Sequence, residues 1–238
     1  MQAYGRTPAV TLYGADSLAF ALLAAGFDVY LRPWIGDGPV QSFPAVDSAR
    51  VRVDDALYAI GNTPYTCLVL SNEVVFVSTE YAATWIREAI RYSAERGITC
   101  LAPVVWPPGH PPLEDVPQLA DAYANAPDTI MVLWAFNAYP VEQGRDLSAH
   151  GGISEYTVWR YRLYRHQLPE GVGLLITEAA RSDGSEPPDF SDIGRFTDEI
   201  DGDVTAVTYW YLAGPSGLGH WPDAVLWGRL GELANSVR

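Results

Sequence analysis

The sequence predicts an α/β fold: a (β/α)8 barrel, shortened or lacking its first strand, in a single domain over residues 1–238. Three observations carry this expectation. Short β-branched runs alternate with longer helical stretches, the order that builds a parallel sheet with helices between its strands. The strand runs are continuously apolar rather than alternating, so both of their faces are covered. The chain has 238 residues and a 48% hydrophobic fraction, enough for one barrel of roughly 250 residues.

The first run, AVTLYG, covers Ala9–Gly14. A helical stretch follows, with Asp16 or Ser17 to cap it and Gly26 to end it. The second run is Phe27–Trp34, and a helix is expected over Asp47–Ile60. The third run, TCLVLSNE, is Thr66–Glu73. Ser78 or Thr79 caps the next helix and Gly97 ends it, with apolar residues recurring at helical spacing between them. Ile98–Trp106 is the fourth run and Gln118–Asn125 the next helix. Thr129–Tyr139, Gly171–Ala180 and Val204–Gly214 complete seven runs, with helices expected over Ser154–Arg165 and Asp223–Ser236. No G-x-G-x-x-G follows the first run, which removes the main support for an open dinucleotide-binding sheet.

Charge narrows the partners. The formal net charge is −14, from 29 acidic and 15 basic residues, and every basic residue is an arginine. That balance disfavours nucleic acid and anionic membrane surfaces, which bind through clustered cations. It suits a neutral ligand. The absence of lysine excludes a Schiff-base mechanism. The four histidines have no metal-ligand spacing, so neither a metal nor an organic cofactor is expected. Cys67 and Cys100 both sit inside apolar runs and read as buried structural thiols, without a disulfide framework. No signal peptide is visible and no apolar stretch approaches a membrane span of roughly 18 residues. The expectation is a soluble protein of unknown location.

In a barrel, the residues that follow the strands form the active-site rim. Here they are Arg32 and Trp34, Asn72 and Glu73, Trp106, Asn137 and Tyr139, Glu178, and Trp210. Two carboxylates, an arginine, amides and aromatics converge on one rim. A carboxylate pair of this kind can hydrolyse a glycosidic bond, one member protonated and the other ionised. A single Glu in such a place is more often a helix-capping or ion-paired residue, but two of them, each closing a buried run, favour the catalytic pair.

On these residues the chain resembles the clan A-type retaining glycoside hydrolases, built on (β/α)8 barrels. Asn72-Glu73 matches that clan's Asn-Glu at the end of strand four, and Glu178, in GLLITEAA, its nucleophile at the end of strand seven. Arg32 resembles an arginine of an early strand, Asn137-Ala138-Tyr139 stands where His-x-Tyr is common, and Trp210 resembles a strand-eight tryptophan. The resemblance implies a glycosidase with Glu73 as acid/base and Glu178 as nucleophile. An oligo- or polysaccharide would be the substrate, and Arg32, Trp34, Asn72, Trp106, Asn137, Tyr139 and Trp210 would contact it. Counting Thr66–Glu73 as strand four leaves strand one without a counterpart. A minimal N-terminus, a strand supplied by a partner chain or parent protein, or a count off by one would each account for it. The alternative function is a non-catalytic carbohydrate-binding or scaffold barrel within a larger phage or wall-degrading assembly.

Overall fold

The structure, a computed structural model, describes residues 9–13, 18–36, 38–138, 158–179 and 204–209. Its strands are β1 (Ala9–Tyr13), β2 (Asp28–Arg32), β3 (Cys67–Val69), β4 (Cys100–Ala102), β5 (Val105–Trp106), β6 (Met131–Asn137), β7 (Gly173–Ala179) and β8 (Val204–Tyr209). Between them lie α1 (Leu18–Ala24), α2 (Ala45–Ile60), α3 (Thr79–Glu95), α4 (Val116–Ala124) and the short α5 (Tyr161–Tyr164). Adjacent strands pair in parallel in the order β1-β2-β3-β4-β6-β7-β8, with β5 also on β6. Strands β4 and β5 are two pieces of one strand position, interrupted at Pro103, which has no N–H to donate to a ladder. Among the described residues the result is a nearly closed parallel barrel with seven strand positions, one within each of the seven apolar runs.

Local chemistry sets the elements. Ser78 caps α3, its hydroxyl accepting from the Tyr81 N–H at 3.1 Å, and Gly97 takes φ 80 just beyond the helix end. The stretch expected as one helix over Ser154–Arg165 is instead, in its described part, a succession of short turns: 3-10 at Val158–Arg160, α5, then 3-10 at Arg165–Gln167.

Strand alternation divides the core into two layers. The inward layer holds Tyr30, Cys67, Val69, Cys100, Ala102, Val105, Leu133, Ala135, Leu175 and Ala206. The outward layer packs strand residues such as Leu31, Leu68, Leu101, Trp134 and Phe136 against the helices, with Trp85 and Ile86 of α3 among them.

Two further features differ from expectation. Cys67 and Cys100 form a disulfide, with a Cα–Cα distance of 4.6 Å. Leu68 pairs with Leu101, so the cysteines one residue before them are neighbours across β3 and β4. The second is the seam. Strands β1 and β8 approach so closely that Thr11 Oγ1 and Thr208 Oγ1 are hydrogen-bonded at 2.8 Å. A strand inserted between them would hold them about 9.5 Å apart, two ladder spacings, beyond the reach of two threonine side chains. Among the described residues, no helix is long and apolar enough to cross a membrane.

Helices α2 and α3 are joined through Glu88, whose carboxylate accepts from Arg91 Nε at 2.8 Å and from Arg50 Nε at 2.6 Å. The Arg91 hydrogen bond is the main cause that holds the Glu88 carboxyl below its usual value, with Arg50 adding to it. A lowered folded-state value means the stabilisation is complete above the ordinary carboxylate range. It is lost as pH falls through the lowered value. Glu88→Gln should therefore destabilise the protein by roughly 1.5–3 kcal/mol at neutral pH and show a weaker loss of stability below pH 4. Urea melts of both proteins between pH 3 and 7 check this; parallel pH profiles would contradict it.

Candidate active site at the C-terminal rim

The rim is built where β3 outlasts its formal end. Leu70 N–H donates to Ala102 O at 2.9 Å, Val105 N–H to Ser71 O at 2.9 Å, and Glu73 N–H to Val105 O at 2.7 Å. This pairing carries the chain to Asn72, which bridges in parallel with Val105. Glu73 then adopts φ 49, a left-handed conformation unusual for a residue with a Cβ. Such a conformation costs of order 1–3 kcal/mol and persists only where the surroundings impose it.

The Glu73 side chain is exposed at the rim, and one of its oxygens accepts from Asn137 Nδ2 at 2.8 Å. The same nitrogen lies 3.4 Å from Asn72 Oδ1. The Asn137 amide is itself oriented: Thr177 Oγ1 donates to its Oδ1 at 2.7 Å, and the Arg160 guanidinium donates to its main-chain carbonyl at 2.8 Å. Arg160 also donates to the carbonyls of Trp106 and Pro107, and its guanidinium lies 4.8 Å over the Phe136 ring. On the other flank, buried Arg52 of α2 donates to Leu70 O, Ile35 O, Gly38 O and Gly36 O. It ties the loop after β2 to the strand that leads into Glu73.

Arg32 ends β2, beside Tyr13 at the end of β1; its guanidinium lies 4.8 Å over the Tyr13 ring, and Nη1 donates to the Tyr13 hydroxyl at 3.3 Å. Trp34 is 80% exposed in the loop that follows. The structure thus brings Asn72, Glu73 and Asn137 together, with Arg32 at the neighbouring strand end.

Trp106 is not on the open rim. It is buried in the outer layer against Phe76 and Trp134, at centroid distances of 5.9 Å each. The reason is a slip in alternation at Pro103. Cys100 and Ala102 face inward, yet so does Val105, which turns Trp106 outward. Glu178 lies on β7, within a register shift between Ile176 and Ala179, and its side chain is outside the described residues. Tyr139 and Trp210 also lie outside them. Sequence reasoning missed Arg52 and Arg160. The signal was a lone arginine between apolar neighbours, Val51-Arg52-Val53 and Trp159-Arg160-Tyr161.

No protein-family model matches the chain. No curated protein matches it. Among solved structures, it is similar to 2,3-dimethylmalate lyase, a member of the PEP mutase/isocitrate lyase superfamily, at 15% identity and a TM-score of 0.39, over 98% of this chain and 92% of that one. It is also similar to a structure described as a mandelate racemase/muconate lactonizing enzyme from Sorangium cellulosum, at 16% identity and a TM-score of 0.31, over 72% of this chain and 46% of that one. At these values neither likeness assigns an activity, and the barrel rests on strand order and register. The glycosidase expectation is corrected here. A lyase and a racemase or lactonizing enzyme are found, not a glycoside hydrolase. Hydrolysis of an O-glycosidic bond by Glu73 and Glu178 is withdrawn, together with the carbohydrate-binding alternative drawn from the same resemblance. The TIM-type α/β barrel stands.

Proposed function

We propose that the chain is a barrel enzyme in which Glu73 transfers a proton to or from a small polar substrate held at the C-terminal rim. One observation carries this reading: an exposed carboxylate on a left-handed backbone, aimed by a buried asparagine whose amide is held by Thr177 and whose main chain is held by Arg160. Placement at the strand ends agrees with where barrels do their chemistry. Backbone strain at a polar rim residue is a feature of functional sites.

The chemistry follows from the arrangement. Asn137 Nδ2 donates to one oxygen of Glu73 and so fixes the direction in which the carboxylate faces. In proton abstraction, the substrate's C–H or O–H proton passes to the carboxylate while the electron pair stays on the substrate. Donors at the rim then stabilise the developing anion.

The test is solvent exchange. The protein is incubated in deuterium oxide with a panel of small hydroxy, oxo and amino compounds, and loss of C–H signals is followed by proton NMR. Exchange of at least one compound is expected, reduced by about 10²–10⁴-fold in Glu73→Gln. A Glu73→Gln protein that exchanges as fast as the parent, or a parent that exchanges none, would sink the reading.

A further inference from the structure

A cleft of about 260 Å³ lies between the loop that leads from β3 into α3 and the loop that leads from β5 into α4, on the outer side of the sheet. Buried Trp106, Pro111 and Leu119 line it together with half-buried Phe76, whose ring centroid is 5.9 Å from that of Trp106. Pockets for drug-sized ligands run from roughly 300 to 1,000 Å³, so this one suits a molecule with a single ring. Three polar side chains line the same space: Thr79, His110 and Asp115. Asp115 is half-buried at the start of α4, yet its carboxylate does not cap that helix and is in no ion pair among the described residues. A partly desolvated carboxylate without a partner is destabilising, and a ligand cation would offset that cost. No arginine lines the cleft among the described residues.

We propose that this cleft binds an arylalkylamine cation: one aromatic ring on a short chain that ends in a protonated amine. The ring fills the space among the apolar side chains, and the ammonium pairs with the Asp115 carboxylate. Aromatic neighbours such as Phe76 add to the attraction for an ammonium. His110 and Thr79 offer hydrogen bonds to a polar substituent of the ligand. Helix N-termini favour anions, and both α3 and α4 begin at this cleft, but their ends are already served. Ser78 accepts from the Tyr81 N–H, and Glu80 places a negative charge in the first turn of α3. The turn that leads into α4 carries Glu114 and Asp115. The fixed charge around the cleft is therefore negative, and the overall charge of −14 draws cations toward it. This site does not rest on Glu73 as a proton-transfer group. Phe76 is three residues beyond Glu73, so a bound ring would also order the segment that carries the rim carboxylate.

The experiment is an equilibrium titration of the full chain by calorimetry at neutral pH, with three probes that share a phenyl ring: phenethylamine, 2-phenylethanol and phenylacetate. They present a cation, a neutral hydroxyl and an anion. Phenethylamine is expected to bind about five-fold tighter than the alcohol or more, and phenylacetate weakest of the three. Asp115→Asn should remove the preference for the amine and leave the alcohol's affinity unchanged. Phe76→Leu should weaken the amine and the alcohol alike, by a few-fold, because the ring is lost and the charge kept. Hydrogen exchange with saturating phenethylamine should slow in residues 75–79 and 107–115. Binding of none of the probes, a preference for the alcohol or for phenylacetate, a folded Asp115→Asn protein that still prefers the amine, or protection confined to other segments would each overturn the site. If Asp115→Asn does not fold, the order of the three probes on the parent and the place of protection decide. Glu73→Gln should bind phenethylamine as the parent does, which keeps this test apart from that of the proton-transfer reading.

Discussion

Replacing Cys67 and Cys100 together by alanine is expected to remove about 3.5–4 kcal/mol of stability. The bridge closes a loop of 33 residues, and chain-entropy arguments scale its effect with that length. The cysteines are 0% and 3% exposed in the inward layer, so their loss also leaves a gap that the surrounding strands fill only in part. Urea unfolding of the oxidised parent, the reduced parent and the double variant checks this. The reduced parent should lie near the double variant, because both lack the cross-link. Burial adds a kinetic expectation: native protein should resist dithiothreitol until the barrel opens, so mass spectrometry should find reduction slower than in urea. A double variant within about 1 kcal/mol of the oxidised parent would show that the loop is already restricted in the unfolded chain.

Arg52→Met should cost about 3–5 kcal/mol, since it removes a buried charge and leaves the carbonyls it served without a donor. Methionine keeps much of the apolar stem, so the loss reports the guanidinium rather than its volume. The carbonyls belong to Leu70 and to the Ile35–Gly38 loop, which also packs on Val74. Hydrogen exchange should therefore accelerate in that loop and around Glu73 before it does so in α4. Arg52→Lys should recover part of the stability, because an ammonium has three donors but no planar spread. A loss below about 1 kcal/mol would mean that water replaces the guanidinium.

The barrel was legible because burial on both faces forces strands to be continuous in apolar residues. Each of the seven runs contains a strand position. Glu73, Asn72 and Asn137 were legible for a related reason: a polar residue that abruptly ends such a run must sit at the strand's end. The contacts that organise them were not. The disulfide needs the register of β3 against β4, which no single run encodes. Trp106 read as a rim residue because it ends a run, but the slip at Pro103 reverses its face. Arg52 and Arg160 lie on helical or turn segments, and their partners are carbonyls, which leave no trace in side-chain spelling. The chemistry was the least legible part. A carboxylate at a strand end is compatible with many proton transfers, and family spelling over a few residues chose the wrong one.

The seven strand positions of the described residues also set a gauge. The diameter of a closed sheet grows roughly in proportion to strand number, so this bore is about one-eighth narrower than that of an eight-stranded ring. Its lining includes three alanines, Ala102, Ala135 and Ala206, beside Val69, Val105 and the two bridged sulfurs. The small methyls and the cross-link fill it together with the larger Tyr30, Leu133 and Leu175. The axis of this protein is consequently a solid hub. Among the described residues the packed layer lies below the strand ends, and Asn72, Glu73 and Asn137 stand on the lip above it.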